Sequence, residues 1–479
     1  MDVSELKKFV EQRWTDDVIP RLVDYVRVPA KSPAFDPSWA AHGHLERVIR
    51  DAHDWCEAQG VEGARFEIVA IDGMTPCLFF DVPATGGLGN DQTVMFYGHL
   101  DKQPEMEGWR EDLGPWKPVI EDGRLFGRGG ADDGYAIYAA LTVIAALDTQ
   151  QIPRCRCVGL IETCEESGSP DLPVYLKALS PRLGQVKLVA GLDSGCGNYD
   201  QLWVTSSLRG LIGGVLNVEV LTEGVHSGMA SGIVPSSFRL ARQLLNRVDN
   251  VNTGRVEIDA LHAAIPDERL LQAQAAGEIL GDSVWQAFPW VGCSHGPEPG
   301  MTAQPTTTDP VEAILNRTWR PALSVTGGAG LPSIDAAGNV LRPKTRLKLS
   351  MRVPPTIDAE LAMASLTRTL TDNPPNNARV TFEPDHAASG WNAPPTAPWL
   401  LESLEKASQR SFGRPAAWIG EGGTIPFMNM LGEFFPEAQF MITGVLGPNS
   451  NAHGPNEFLD IECAKKLTQA VASVVADVR

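Results

Sequence analysis

Six residues of this 479-residue chain carry side chains that bind divalent cations and stand in motifs apt for a shared site: His99, Asp132, Glu165, Glu166, Asp193 and His453. The first lies in Tyr97-Gly98-His99-Leu100-Asp101, after the apolar run Val94-Met95-Phe96. Alternate residues of an extended segment point the same way, so His99 and Asp101 share a face. If His99 binds a metal, the Asp101 carboxylate can accept from its other ring nitrogen and fix the tautomer. Asp132 and Asp133 follow Gly127-Arg128-Gly129-Gly130 and precede an apolar stretch. One Asp at that place could simply cap a helix; two exceed what a cap needs. Glu165-Glu166 repel one another unless a cation is near or the turn is well solvated. The donors are oxygens and imidazoles without thiolates, a set that suits Zn²⁺ or Mn²⁺. Two histidines and three carboxylates suffice for two metals that share one bridging carboxylate.

These residues need elements that converge. Apolar runs at 64–71, 77–82, 93–97, 157–161 and 186–192 read as strands. Residues 3–28, 40–59 and 136–147 read as helices, the first ended by Pro29 and the second by Gly60. His99, Glu165-Glu166 and Asp193 each fall at or after the C-terminal end of a strand, where open α/β sheets place their ligands. From 207 the pattern changes. Residues 211–221 alternate apolar and polar positions, and further strands are expected at 323–326, 346–353 and 380–383, with helices at 238–248 and 359–371. The expected architecture is α/β with two domains. A mixed-sheet catalytic domain comprises 1–206 and 386–479. An inserted α+β lid or dimerisation domain spans 207–385. The catalytic domain closes with a helix near 399–411, a strand near 439–445 and a helix at 461–478; His453 lies in the loop between the last two.

The net charge is −19, from 40 basic and 59 acidic residues. That balance argues against nucleic acid and anionic membrane as partners. Hydrophobic residues make up 43% and charged residues 21%. No apolar run reaches the length needed to span a bilayer, and residues 1–14 form no secretory core. The eight cysteines are scattered, and Cys155-x-Cys157 lacks a second pair. The expected location is the cytoplasm, with reduced thiols.

Taken in order, Gly98-His99-Leu100-Asp101, Gly127-Arg128-Gly129-x-x-Asp132-Asp133, Glu165-Glu166-Ser167-Gly168, Asp193, His226-Ser227-Gly228, Glu421-Gly422-Gly423-Thr424-Ile425-Pro426 and His453 resemble the M20 family of metallopeptidases. That family includes carnosinase-like dipeptidases, glutamate carboxypeptidases and acyl-amino-acid deacylases. The resemblance implies that His99 and Asp193 hold one metal, Glu166 and His453 the other, and that Asp132 bridges them. It implies Glu165 as general base on the shared water, Asp101 as partner of His99, and a cis bond between Asp132 and Asp133. It places His226 as an oxyanion donor reaching into the partner subunit's site, which implies a homodimer. Arg352, with Gly422, Gly423 and Thr424, would bind the substrate carboxylate. One departure stands out: dipeptidase-like members have Lys-Gly after the Asp pair, whereas this chain has Gly134-Tyr135.

The implied function is a two-metal hydrolase, with Zn²⁺ ahead of Mn²⁺, that cleaves a peptide bond next to a free carboxylate as a dipeptidase or small carboxypeptidase. The alternative within enzymes is an N-acyl-amino-acid deacylase of the deacetylase or desuccinylase type. The alternative outside enzymes is an inactive homologue that binds peptides.

Overall fold

The computed structural model describes residues 1–288, 290–291, 303–423 and 426–479. Two compact units emerge: Met1–Ser206 with Ala393–Ile419 and Met430–Arg479, and Ser207–Asn392 with Gly420–Asn429.

The first unit is built on a six-stranded mixed sheet. Its strands are β1 (Arg65–Val69), β2 (Cys77–Val82), β3 (Gln92–His99), β4 (Arg156–Glu162), β5 (Gln185–Gly191) and a last strand at Gln439–Ile442. Their spatial order is β1-β2-β4-β3-β5 and then Gln439–Ile442. The β1/β2 and β2/β4 pairs are antiparallel; β4/β3, β3/β5 and the pairing of β5 with Gln439–Ile442 are parallel. Strand β3 lies in the parallel part of the sheet. Val94, Met95, Phe96 and Tyr97 are all buried, as expected of a parallel strand covered on both faces. The helix Ala136–Thr149 is buried on nearly every side and packs on β3 and on the helix Ile461–Asp477. Its unbroken apolar sequence fits that position.

The N-terminal stretch is not one uniform helix. Asp2 accepts the N–H groups of Ser4 and Glu5 and starts Val3–Arg13. A π-type turn at Trp14–Val18 then precedes Ile19–Val26. Pro20 stands at the start of that last segment. It has no N–H to continue an α ladder, and its ring crowds the carbonyl four residues earlier; the widened turn accommodates both. The second expected helix divides at Gly43, whose φ is +67°, and His44–Ala58 starts afresh. The helix Leu172–Leu183 has no counterpart in the sequence-based reading; Pro173 and Pro181 hide it.

The second unit has a four-stranded antiparallel sheet. Its strands are β6 (Gly210–Glu219), β7 (Ala322–Ala329), β8 (Lys344–Val353) and β9 (Arg379–Ala388), in the order β7-β8-β6-β9. Ile212, Leu216 and Val218 of β6 and Leu347, Leu349, Met351 and Val353 of β8 face a core shared with Leu240, Leu244, Leu366 and Leu370 of two helices. The alternating positions on the other face include Arg346, Lys348 and Arg352, all partly exposed. This is the period-two pattern of a sheet with one covered face. Among the described residues, no helix is long and apolar enough to cross a membrane.

Candidate metal centre

Three parallel strands deliver the site to one edge of the sheet. His99 is the last residue of β3. Strand β4 ends at Glu162 and leads into a single 3₁₀ turn, Glu165–Ser167. Strand β5 ends at Gly191, two residues before Asp193. Asp132 arrives from the glycine-rich loop ahead of the buried helix, where the Asp132–Asp133 peptide is cis. Gly98 is needed here, because a Cβ would come within 2.7 Å of both Asp133 Oδ2 and Ala136 Cβ.

Two groups of donors result. Ligand atoms of His99, Asp132 and Asp193 lie within 4.8 Å of one another, and so do those of Asp132, Glu166 and His453. Asp132 belongs to both. Its Oδ1 is 3.2 Å from His99 Nε2, and its Oδ2 is 3.0 Å from His453 Nε2. His99 Nε2 also lies 3.7 Å from Asp193 Oδ2 and 3.9 Å from Glu165 Oε2. His453 Nε2 lies 3.3 Å from Glu166 Oε2. The groups differ in exposure: the His99 side chain is fully buried, whereas that of His453 is 53% exposed.

His99 Nδ1 donates to the Asp101 backbone carbonyl at 3.1 Å, and its carboxylate lies farther, at 3.4 Å. That carboxylate has a second job besides facing His99. It accepts the backbone N–H groups of Glu165 and Glu166, at 3.1 and 3.0 Å. With Nδ1 donating, a ring that held a cation would offer it the Nε2 lone pair; the same Nε2, when protonated, donates to Asp132.

Electrostatics make this a site that draws positive charge. Burial pushes the carboxyls of Glu165 and Glu166 well above their ordinary range, and repulsion from neighbouring carboxylates adds to it. Asp193 is pushed up to about 7 for the same reasons. Asp132 moves the other way: burial opposes it, but the hydrogen bonds from His453 and His99 hold it ionised. Burial lowers the His99 imidazole, but its hydrogen bonds to the Asp101 and Asp132 carboxylates and the charge of Asp193 raise it on balance. Buried carboxylates crowded this closely are stable as anions only with compensating cations. Nitrogen and oxygen donors in two groups with a shared carboxylate fit two divalent ions.

Several residues that matter here were not singled out by sequence. Gln103 Nε2 donates to Glu166 Oε2 at 2.5 Å. Arg128 and Glu457, both buried, form an ion pair, and Arg128 also donates to the carbonyls of His453 and Gly454. The only sequence signal was an Arg flanked by glycines in one motif and a Glu four residues after His453 in another. The Gly134 departure also has a structural reason: a Cβ there would meet Tyr25 Cε1 at 2.1 Å. The Tyr25 ring fills that space, and its hydroxyl donates to the Leu100 carbonyl at 3.1 Å.

The remaining expected site residues belong to the second unit. His226 is exposed and ends a two-residue strand; its Nδ1 accepts the Gly228 N–H at 3.1 Å. Arg352 lies on β8 opposite Leu211, and burial lowers the pKa of its guanidinium. The Gly422 carbonyl accepts from Arg209 Nε at 3.2 Å, and Gly423 is exposed. Thr424 lies outside the described residues.

Comparison with known proteins gives the family. The chain is 28% identical over 410 residues to the Cys-Gly metallodipeptidase DUG1 of Saccharomyces cerevisiae, covering 81% of this chain and 80% of that protein. It is 25% identical over 408 residues to the human Beta-Ala-His dipeptidase, covering 77% and 72%. Among solved structures, human carnosine dipeptidase 1 shares the fold, with a TM-score of 0.77 at 20% identity over 99% of this chain and 98% of that one. Residues 95–477 match the model of peptidase family M20/M25/M40. That span takes in both donor groups entire, and the chain belongs to this family as an M20-type metallopeptidase.

Proposed function

We propose that the protein is a dipeptidase that uses two divalent cations, with Zn²⁺ ahead of Mn²⁺, and acts on small peptides with a free C-terminal carboxylate. One observation carries this reading: Asp132 is shared between two donor groups, while Glu165, beside His99, belongs to neither. His99 and Asp193 would hold one cation, Glu166 and His453 the other, and Asp132 both. When bound, such cations polarise a scissile carbonyl and acidify the attacking water.

The other steps fall to the chain's own residues. Glu165 takes the water's proton and hands it to the leaving amine. Asp101 keeps Glu165 and Glu166 in place through their backbone N–H groups. His226 donates to the oxyanion. Because its Nδ1 accepts from Gly228, a neutral ring carries its proton on Nε2, the nitrogen left to donate. We assign this donor to the second subunit of a homodimer. Arg352 takes the substrate carboxylate, whose geometry its guanidinium matches in two parallel bonds. Gly422, Gly423 and Thr424 complete the pocket for that end of the substrate.

Two relatives that span most of the chain are named as dipeptidases, for Cys-Gly and for β-Ala-His. Their names support a peptide substrate over an acyl amino acid. A reducing, cytoplasmic setting is supported by Cys56, Cys77, Cys155, Cys157, Cys164 and Cys463, which are all free and buried.

The test is hydrolysis by metal-stripped protein reloaded with Zn²⁺ or Mn²⁺. The panel holds dipeptides, their C-terminal amides, tripeptides, and N-acetyl and N-succinyl amino acids. Cleavage of free-carboxylate dipeptides but not their amides is expected. Cleavage confined to acyl amino acids would replace this reading with a deacylase.

A further inference from the structure

We infer that Arg128, paired with Glu457, is a positioning residue that assembles the Asp132–Glu166–His453 group, so that one of the two cation positions depends on this buried ion pair and the other does not. The inference rests on the two-cation reading above.

The two donor groups are built in different ways. His99 and Asp193 stand at or just beyond the ends of paired strands, β3 and β5, so the sheet itself fixes their spacing. His453 has no such support. It sits in a loop where Asn449, Asn451, His453 and Asn456 all have positive φ, 65° at His453. A histidine backbone holds that conformation only when its surroundings impose it.

Arg128 supplies the constraint. Its Nη2 donates to the carbonyls of His453 at 3.1 Å and Gly454 at 2.9 Å. Its Nε donates to the Pro104 carbonyl at 3.2 Å, next to Gln103, which bonds Glu166. Arg128 itself lies four residues before Asp132. One guanidinium thus grips the three segments that carry Asp132, the Gln103 support of Glu166, and His453. Glu457 completes the clamp: its Oε2 pairs with Arg128 Nη1, its Oε1 accepts the Gly129 N–H at 2.8 Å, and its carbonyl accepts the Gly127 N–H. Arg128 and Glu457 are 1% and 0% exposed, so the pair is not loosened by solvent. Neither residue contributes a donor atom to either group.

A lysine at 128 keeps the charge but lacks the planar fork that reaches three carbonyls at once. The experiment counts Zn²⁺ bound to the full chain. Metal-free wild type, Arg128→Lys, His453→Ala and the double variant R128K/H453A are each equilibrated with chelator-buffered Zn²⁺, and bound metal is measured by mass spectrometry. Wild type should bind two equivalents. R128K should keep one with unchanged affinity and bind the other at least tenfold more weakly, as second-sphere changes do. H453A should lose that same equivalent, and R128K/H453A should lose nothing more. Near-UV circular dichroism checks folding. If R128K does not fold, R128M/E457Q, which removes both buried charges together, is read in its place. Two equivalents at wild-type affinity in the variant, or equal weakening of both, would overturn the inference. Fewer than two in wild type would instead overturn the two-cation reading and take the inference with it.

Discussion

The Asp101 carboxylate accepts the backbone N–H of Glu166 at 3.0 Å and that of Glu165 at 3.1 Å, while lying 3.4 Å from His99 Nδ1. A single side chain thus sets both the imidazole and the acidic turn. Asp101→Asn keeps one acceptor oxygen but brings an amide toward two N–H donors. Zn²⁺ affinity should fall about 10–100-fold, read by titration against a competing chelator. Unchanged affinity would show that the backbone alone holds the turn.

Glu165→Gln leaves both donor groups intact and removes the carboxylate that belongs to neither. Metal content should stay at the wild-type level, KM should move little, and kcat should drop about 10²–10⁴-fold, the usual worth of a positioned general base. Steady-state kinetics beside metal analysis separates this from a damaged site. A variant with near-normal kcat would put the base elsewhere.

His226 is exposed and touches the Gly228 N–H through Nδ1, so His226→Ala should fold with a wild-type melting temperature. Loss of one oxyanion donor should lower kcat about 10²–10³-fold. Mixing H226A with E165Q protein tests donation across a dimer: hybrids should regain activity, because one of their two sites then has both groups. No recovery after demonstrated subunit exchange would place the donor in the same chain.

Glu162 gives a pH signature of stability. Burial pushes its carboxyl from 4.5 up to about 7, despite hydrogen bonds from Tyr97, Cys164 and Ser169. The folded state therefore binds more protons than the unfolded state between those values. Its contribution is complete below about 4.5 and is lost as pH rises through 7. Glu162→Gln stays neutral and should be more stable than wild type at pH 8 relative to pH 5, by up to ~3 kcal/mol. Urea unfolding at the two pH values checks this; an equal difference at both would mean that the carboxyl is already ionised at pH 5.

The strands near the site were legible because they are simple. Cys77–Val82 has the bounds its apolar run implies, and the chemistry follows directly at the ends of β3, β4 and β5. The helix Ala136–Thr149 was legible from its unbroken apolar composition. Prolines obscured other elements: Leu172–Leu183 tolerates Pro173 in its first turn and Pro181 near its end, and Pro20 forces the π turn that interrupts an otherwise helical period. The Arg128–Glu457 pair could not be read at all, since its members lie 329 positions apart and neither differs in type from a surface charge. The acceptor role of the Asp101 carboxylate was hidden for a related reason. Spacing shows which residues share a strand face, but not which backbone N–H groups a following loop brings to it.

The order of the ligands along the chain also carries a consequence for biosynthesis. His99, Asp132 and Asp193 have all been translated by residue 193, but His453 comes 260 positions later. The strand Gln439–Ile442 and the helix Ile461–Asp477, which complete the first unit, come late as well. A ribosome still adding the last segment therefore carries a chain with one donor group encoded and the other unfinished. Asp132 and Glu166 therefore wait for their third partner, His453, until nearly the whole chain has been made.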